Sequence, residues 1–249
     1  MELLLMSNST NHGRGYLEHA LTEVVAVLAG RTELLFVPYA LADHDRYTAR
    51  VAEALEPLGI AVRGAHTTAD PGAAIRDAQA VFVGGGNTFR LLKTLQGNGG
   101  LDALRDAARS GTPYLGASAG TGISAPTIRT TNDMPITEPA TLSSLGLVPF
   151  QLNPHFVDAD PASTHMGETR ETRLREFLEV NDVAVLGLRE GTWLRVSDQA
   201  FTVGGTAVSP TAPGPAVVLR RSPDGSEPQV EEVAGDVSAL AALPARYDV

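Results

Sequence analysis

The chain contains no cysteine. That absence removes disulfides, thiolate metal ligands and a cysteine nucleophile together, so any covalent chemistry falls to serine or threonine. Positive charge is scarce: 19 Lys and Arg stand against 29 Asp and Glu, a formal net charge of -10, and Lys93 is the single lysine. A chain of this sign lacks the basic face that phosphate contacts need, which excludes nucleic acid as a partner and leaves arginine as the available anion binder. Long apolar runs are missing too. Met1 to Met6 is interrupted by Glu2 and followed at once by polar Ser7-Asn8-Ser9-Thr10, too short for the core of a signal peptide, and no run approaches membrane-spanning length. These features predict a soluble cytoplasmic protein with no membrane partner.

What is present is a hydrophobic content of 43% over 249 residues, enough for the core of one α/β domain spanning residues 1–249. Short apolar runs alternate with amphipathic stretches, as in βαβ units. Strands are expected at Leu3 to Met6, Glu33 to Val37, Ile60 to Arg63, Ala80 to Val83 and Tyr114 to Ala117. Helices are expected at Tyr16 to Leu28, Ala49 to Leu58, Pro71 to Ala78, Arg90 to Leu95 and Leu101 to Ala108. Loop-rich sequence follows to about Pro154, then a helix from Glu168 to Glu179. Short strands near Val183 to Leu186, Thr192 to Val196, Ala200 to Val203 and Ala216 to Leu219 are expected to extend the sheet in antiparallel fashion, with Ser209 to Gly214 as a loop. The last dozen residues carry little information.

Parallel sheets bind ligands at the carboxyl ends of their strands. Three polar segments fall there: Ser7 to Thr10, the run Gly84-Gly85-Gly86-Asn87, and Gly116-Ala117-Ser118-Ala119-Gly120. The last has the G-x-S-x-G form of a serine on a sharp strand-to-helix turn, where bulk at Gly116 or Gly120 would clash. Ser118 is the candidate nucleophile, with the Ala119 N–H and a glycine N–H at Gly86 as donors to an oxyanion. The glycine run lacks both the G-x-G-x-x-G spacing and the lysine of a phosphate-binding loop, which argues against a nucleotide cofactor.

A serine needs a base, and the base an orienting acceptor. Of six histidines, His12, His19, His44 and His66 fall in the first βα units and His165 in a loop, whereas His155 in Asn153-Pro154-His155-Phe156 has a proline-stiffened approach and a flanking aromatic. His155 is the candidate base. For the acid, Asp133, Asp158, Asp160, Glu168 and Glu190 all lie downstream of Ser118. Glu190 ends an apolar strand and precedes Gly191, so a fixed backbone can present it, while spacing leaves Asp133 open as an alternative. With Glu190 the chain order is Ser, His, Glu, unlike the order in α/β-hydrolases.

These residues, together with Met1-Glu2-Leu3-Leu4-Leu5, Gly84 to Phe89, the block Pro126-Thr127-Ile128-Arg129-Thr130-Thr131-Asn132-Asp133-Met134-Pro135-Ile136 and Gly167-Glu168-Thr169-Arg170, resemble the peptidase E family of α-aspartyl dipeptidases, which also holds cyanophycinases. The likeness runs in order from residue 1 to about 205. It implies a mostly parallel, flavodoxin-like sheet related to class I glutamine amidotransferases, with helices on both faces. It further implies a serine dipeptidase acting on Asp-X dipeptides without metal or cofactor, and a triad carried onto Ser118, His155 and Glu190. Ala117 departs from it, since the family often has tryptophan before the nucleophile, and a small residue there is expected to reshape the pocket beside the serine.

An aspartyl substrate carries a carboxylate that needs a local cation, for which Arg170 and then Arg129 are the candidates, with Asn87 for the amine or carbonyl. Residues 129–150 are the expected lid. The rival readings are a cyanophycinase-like or isoaspartyl peptidase with the same triad, and a non-catalytic small-molecule binder using Gly84 to Asn87.

Overall fold

A computed structural model describes residues 1–159, 168–222 and 227–249. Asp160, His165 and Gly167, named above, lie outside the described residues. The first half alternates strands and helices: β1 (Glu2–Met6), α1 (Leu21–Leu28), β2 (Glu33–Val37), α2 (His44–Leu55), β3 (Ala61–Gly64), α3 (Pro71–Arg76), β4 (Val81–Val83), α4 (Thr88–Gly97), α5 (Gly100–Arg109), β5 (Tyr114–Ala117) and the short α6 (Ala119–Gly122). The second half contributes β6 (Gln151–Phe156), α7 (Arg170–Glu179), β7 (Asn181–Val183), β8 (Val185–Arg189), β9 (Thr192–Ser197), β10 (Ala200–Gly205), β11 (Ala216–Arg220), β12 (Gln229–Val233), β13 (Gly235–Asp236) and β14 (Ala245–Tyr247).

The main sheet has the order β13-β10-β9-β1-β5-β4-β2-β3. Its β1, β5, β4, β2 and β3 run parallel, and β9 joins β1 antiparallel with Leu5 opposite Leu194. This is the mostly parallel α/β architecture with antiparallel C-terminal strands that the sequence predicts. Side chains alternate across a strand, and both faces of β1 are apolar. Leu4 and Met6 pack with Val24, Val27, Val51 and Leu55 of α1 and α2, while Leu3 and Leu5 face Ile75, Leu91, Leu95 and Leu104 of α3, α4 and α5. Helices therefore cover both faces.

Where the structure departs from expectation is in the second half. Among the described residues, only β9, β10 and β13 extend the main sheet beyond its parallel strands. β8 and β11 belong to a separate four-stranded sheet, β12-β11-β8-β6, whose Leu152, Leu186, Leu188 and Val218 pack into the same core as Leu194, Val196 and Phe201. Its other face is covered by Leu174 and Leu178 of α7. β6 lies in the stretch expected to be loop up to Pro154. It forms the edge of this sheet, where proline's missing N–H leaves no ladder bond unmade. The last residues are structured as well: β14 pairs with β7, and Arg129 bridges to Asp248 at 2.7 Å.

The start of α2 falls earlier than the apolar pattern suggests. The Asp43 side chain accepts the Arg46 N–H at 3.0 Å, an N-cap that starts the helix at His44 through a polar first turn.

Candidate active site

The carboxyl ends of β1, β4 and β5 in the main sheet, and of β6 and β8 in the second, deliver the polar residues singled out above to one region. Ser118 follows β5 directly and adopts φ 52°, ψ -109°, a conformation that residues other than glycine rarely hold. Its neighbours explain how the turn is possible. A Cβ on Gly120 would lie 2.0 Å from the carbonyl oxygen of Val83, and one on Gly116 would lie 2.7 Å from the carbonyl oxygen of Gly120. Strand and helix touch through backbone alone at these two positions, as the G-x-S-x-G spacing requires. The Ser118 N–H donates to Met6 O at 3.1 Å, which fixes the turn against β1.

His155 sits on β6 with φ 56°. β6 and β8 pair Pro154 with Leu188 and Phe156 with Arg189, so His155 is the extra residue of a β-bulge. Bulges re-aim a side chain out of the regular alternation. Here the bulge brings His155 Nδ1 within 2.7 Å of Glu190 Oε1. Glu190 is the first residue after β8, and the turn into β9 is completed by Gly191 at φ 88°, where a Cβ would meet the Thr206 carbonyl oxygen at 2.3 Å. Glu190, and not Asp133, is thus the carboxylate that touches the imidazole.

Ser118 and His155 open into the same cavity, of about 160 Å³, lined also by Thr88, Ala119, Asp133 and Arg170. A cavity of about 600 Å³ lies among Asp182, Arg220, Arg221 and Arg246 and has no histidine in its lining, so size alone misidentifies the chemical centre. Among the described residues no three His, Asp or Glu side chains are grouped to hold a metal ion, and no helix is long and apolar enough to cross a membrane.

The candidate oxyanion donors divide as follows. Ala119 is the first residue of α6, a position whose N–H has no acceptor within the helix. In the glycine run, Gly84 N–H donates to Val37 O, Gly85 N–H to Tyr47 Oη at 2.8 Å, and Asn87 N–H to Ala40 O. Only Gly86 N–H makes no such bond among the described residues. Gly85 is the one pressed against the serine: a Cβ there would lie 2.9 Å from Ser118 Cβ.

The binding candidates separate more sharply. Arg170 opens the helix α7 and lines the cavity; burial and the charge of Arg173 lower its pKa, and Asp133 opposes that. Arg129 is elsewhere, forked onto both carboxylate oxygens of Asp248 at 2.7 and 3.1 Å and held near the Tyr247 ring. Its role is to fasten the C-terminal segment, and its guanidinium is already paired. Asn87 is also occupied: its Oδ1 accepts from Arg90 N–H as the N-cap of α4, and its Nδ2 donates to Met134 O at 2.8 Å. Asp133 stands in the cavity, accepting from Thr88 N–H at 2.7 Å and from the Thr88 hydroxyl.

Two further expectations change. Ala117 is buried with Leu4, Met6 and Phe82 on the α1/α2 face of the sheet, so its small size bears on that core and not on the cavity into which Ser118 opens. Residues 129–150 form a wall more than a lid. Arg105 donates to Leu145 O and Ser144 O at 3.0 and 2.9 Å, and Gln96 donates to Thr141 O, tying the segment to α5 and α4.

The sequence reading also missed Arg189. Only 2% exposed, it grips Asp158 and Glu232 with two hydrogen bonds each, and so braces the strand end that carries Glu190. Its signal in the sequence is a lone charge closing an otherwise apolar strand, Val185-Leu186-Gly187-Leu188-Arg189.

The profile of Peptidase family S51 matches residues 3–204. The chain is 57% identical over 248 residues to Peptidase E of Streptomyces coelicolor, covering 100% of this chain and 98% of the relative. It is 50% identical over 206 residues, covering 81% of this chain and 86% of the relative, to a Drosophila melanogaster protein named "Probable alpha-aspartyl dipeptidase". In fold it is similar to the crystal structure of a peptidase from an acI-B1 Actinobacterium, with a TM-score of 0.62 at 16% identity over 95% of this chain and 96% of that one.

Proposed function

The chain belongs to peptidase family S51, and from that premise we propose that it is a serine dipeptidase that removes the N-terminal aspartate from Asp-X dipeptides through Ser118, His155 and Glu190. The observation that carries the reading is the 2.7 Å contact between His155 Nδ1 and Glu190 Oε1, made at the wall of the cavity into which Ser118 also opens. With Nδ1–H donated to Glu190, the Nε2 lone pair is left to act as base. The tautomer is set by the carboxylate.

The reaction then balances as follows. His155 Nε2 takes the proton of Ser118 Oγ as the oxygen adds to the carbonyl carbon of the aspartyl residue. The carbonyl oxygen becomes an oxyanion, received by the N–H groups of Ala119 and Gly86. Collapse breaks the C–N bond, His155 returns the proton to the leaving amine, and an aspartyl ester of Ser118 remains. Water, deprotonated by His155, releases aspartate and restores the serine. The imidazolium formed in each half is stabilised by Glu190.

Recognition rests on two opposite charges in one small cavity. Arg170 receives the aspartyl carboxylate, and Asp133 receives the free amine that distinguishes a chain start from an internal residue. Asp133 takes the part that Asn87, committed as a helix cap, does not fill. The name of the Drosophila relative supports an aspartyl substrate.

The test compares aspartate release from Asp-Leu and from β-Asp-Arg, with fluorophosphonate labelling of Ser118. Hydrolysis of Asp-Leu, abolished in Ser118→Ala, is the expected outcome. Turnover of β-Asp-Arg alone would replace this specificity with that of an isoaspartyl peptidase. Absence of labelling together with unchanged turnover in Ser118→Ala would remove the serine mechanism.

A further inference from the structure

Each arm of the proposed triad is held by a different member of one tripeptide. Met6, Ser7 and Asn8 stand at and just beyond the carboxyl end of β1. Met6 O accepts the Ser118 N–H at 3.1 Å and the Thr121 hydroxyl at 2.7 Å. Ser7 Oγ accepts the His155 N–H at 2.8 Å and donates to Leu188 O at 2.9 Å. Asn8 Oδ1 accepts the N–H of Gly191, the residue after Glu190, at 2.8 Å. We infer that Ser7 and Asn8 are positioning residues, which, with the Met6 carbonyl, set His155 and Glu190 in register with Ser118; the inference rests on the triad proposed above.

The argument begins from burial. Ser7 is 0% exposed and Asn8 3% exposed, and polar side chains at such depth must have their bonding capacity met. Ser7 does so in an unusual way, because its single hydroxyl bridges two different strands of the second sheet from a position on the first. The acceptor it engages, Leu188 O, lies two residues before Glu190. The donor it engages is the backbone of the triad histidine itself. Asn8 completes its own set by donating Nδ2 to Thr10 O at 3.0 Å and Asn11 Oδ1 at 2.7 Å, which fixes the direction of its Oδ1 toward Gly191.

Both targets are backbones that need an external restraint. His155 is held at φ 56° within a bulge on an edge strand, where the regular ladder is interrupted. Gly191 has the freedom of glycine, and its N–H bond to Asn8, with the Val208 N–H donated to Glu190 O at 2.8 Å, sets the direction of the turn bearing Glu190. The bonds from Ser7 and Asn8 refer the imidazole and carboxylate directly to the strand end that also holds Ser118, alongside the Val208 N–H donated to Glu190 O and the Asn132 Nδ2 donated to Pro154 O. A misplacement of about 1 Å in a catalytic group costs on the order of 10²-fold in rate. Ser7-Asn8 ends an apolar strand where a ligand-facing loop is expected, yet neither residue lines the cavity.

The experiment measures kcat and KM for Asp-Leu in Ser7→Ala, Ser7→Thr and Asn8→Leu, each assayed well below its own Tm, together with the rate of fluorophosphonate labelling. Ser7→Ala and Asn8→Leu are expected to lower kcat and labelling by about 10- to 100-fold with KM within about 2-fold, and Ser7→Thr, which retains the hydroxyl, to recover most of the loss. In a Glu190→Gln background, Ser7→Ala should lower kcat by less than about 3-fold, because residues acting through one unit are not additive. Should Ser7→Ala not fold, Asn8→Leu reads the same restraint from the acid side. A kcat and labelling rate within 2-fold of wild type in folded variants, or a fully additive effect in the Glu190→Gln background, would overturn the inference. Failure of the wild-type protein to hydrolyse Asp-Leu or to be labelled at Ser118 would instead overturn the proposed function.

Discussion

Glu190 Oε1 lies 2.7 Å from His155 Nδ1, although the two residues are separated by 35 positions and come from neighbouring strand ends. The carboxylate is about half exposed and the imidazole one-third exposed, so the pair is reached by solvent and its value is orientation more than buried charge. Glu190→Gln should therefore lower kcat for Asp-Leu by about 10²- to 10⁴-fold while leaving Tm within about 2 °C, as judged by steady-state kinetics and thermal melts. Asp133→Asn should act mainly on KM, by loss of the amine contact. A larger kcat loss in Asp133→Asn than in Glu190→Gln would reverse the assignment of the acid.

Arg170 and Arg129 give a paired comparison. Arg170→Ala should raise KM for Asp-Leu by about 10- to 100-fold, the loss of one charge-assisted contact to the substrate carboxylate. Arg129→Ala should leave KM unchanged and lower Tm slightly through loss of the exposed pair with Asp248. Equal effects of the two on KM would mean that the carboxylate is not bound where Arg170 stands.

Among the described glycines, Gly120 is the one where an added methyl meets its nearest atom at the shortest distance, and Gly120→Ala is predicted to be severely damaging. Its Cβ would fall 2.0 Å from the Val83 carbonyl oxygen, an atom of the backbone that cannot swing aside. A cost of about 3 kcal/mol or more is expected, seen as a lower urea midpoint and loss of Ser118 labelling. A variant with wild-type stability would show that β4 and α6 are farther apart than described.

Arg189 is held between two carboxylates. Burial alone would lower its pKa, but the hydrogen bonds and charges of Glu232 and Asp158 outweigh it and raise the pKa above the ordinary arginine value. Removing the cation leaves two partly solvated carboxylates facing each other, so Arg189→Met should cost about 3 kcal/mol. Adding Asp158→Asn should recover part of that loss in chemical denaturation.

A pH test falls on Glu2, which pairs with Arg195 and accepts from Ser197 at 2.8 Å. Burial by itself would raise its pKa, yet these bonds bring the net shift below the ordinary glutamate value. A folded pKa that is depressed stabilises the native state above the unfolded value of about 4.3 and loses that stabilisation as pH falls through the folded one. The Tm of Glu2→Gln should accordingly be lower than wild type near pH 7, and the two should converge on the acid side of pH 4. A gap that persists at low pH would point to packing instead of charge.

How far the sequence can be read depends on how local the determining contacts are. β2 and β5 are found at their expected limits because apolar runs bounded by polar residues mark buried parallel strands. The placement of Ser118 and Glu190 at strand ends is legible for a related reason, since Ser118 follows such a run two residues from Gly116 and Gly120, and Glu190 stands beside Gly191. β6 is not legible: Gln151, Asn153 and Pro154 look like loop, and they are accommodated only because Gln151 bonds Thr127 and Tyr247 while Asn153 bonds Thr130 and Asn132. The second sheet escapes notice because its order depends on pairings across long stretches of chain. Arg129 misleads for the same reason, its partner being 119 residues away.

The turn at Glu190-Gly191 carries the chain from β8 in one sheet to β9 in the other. The carboxylate that touches His155 is thus placed on a short span joining the ladder that bears His155 to the ladder that leads into Ser118; among the described residues β12 and β13 are joined across the same two sheets by Ala234. Neither ladder can loosen without shifting that span, and so the site has no reserve of local stability separate from the fold. Inactivation on heating should follow the unfolding transition itself, with no active form in which one sheet has already melted.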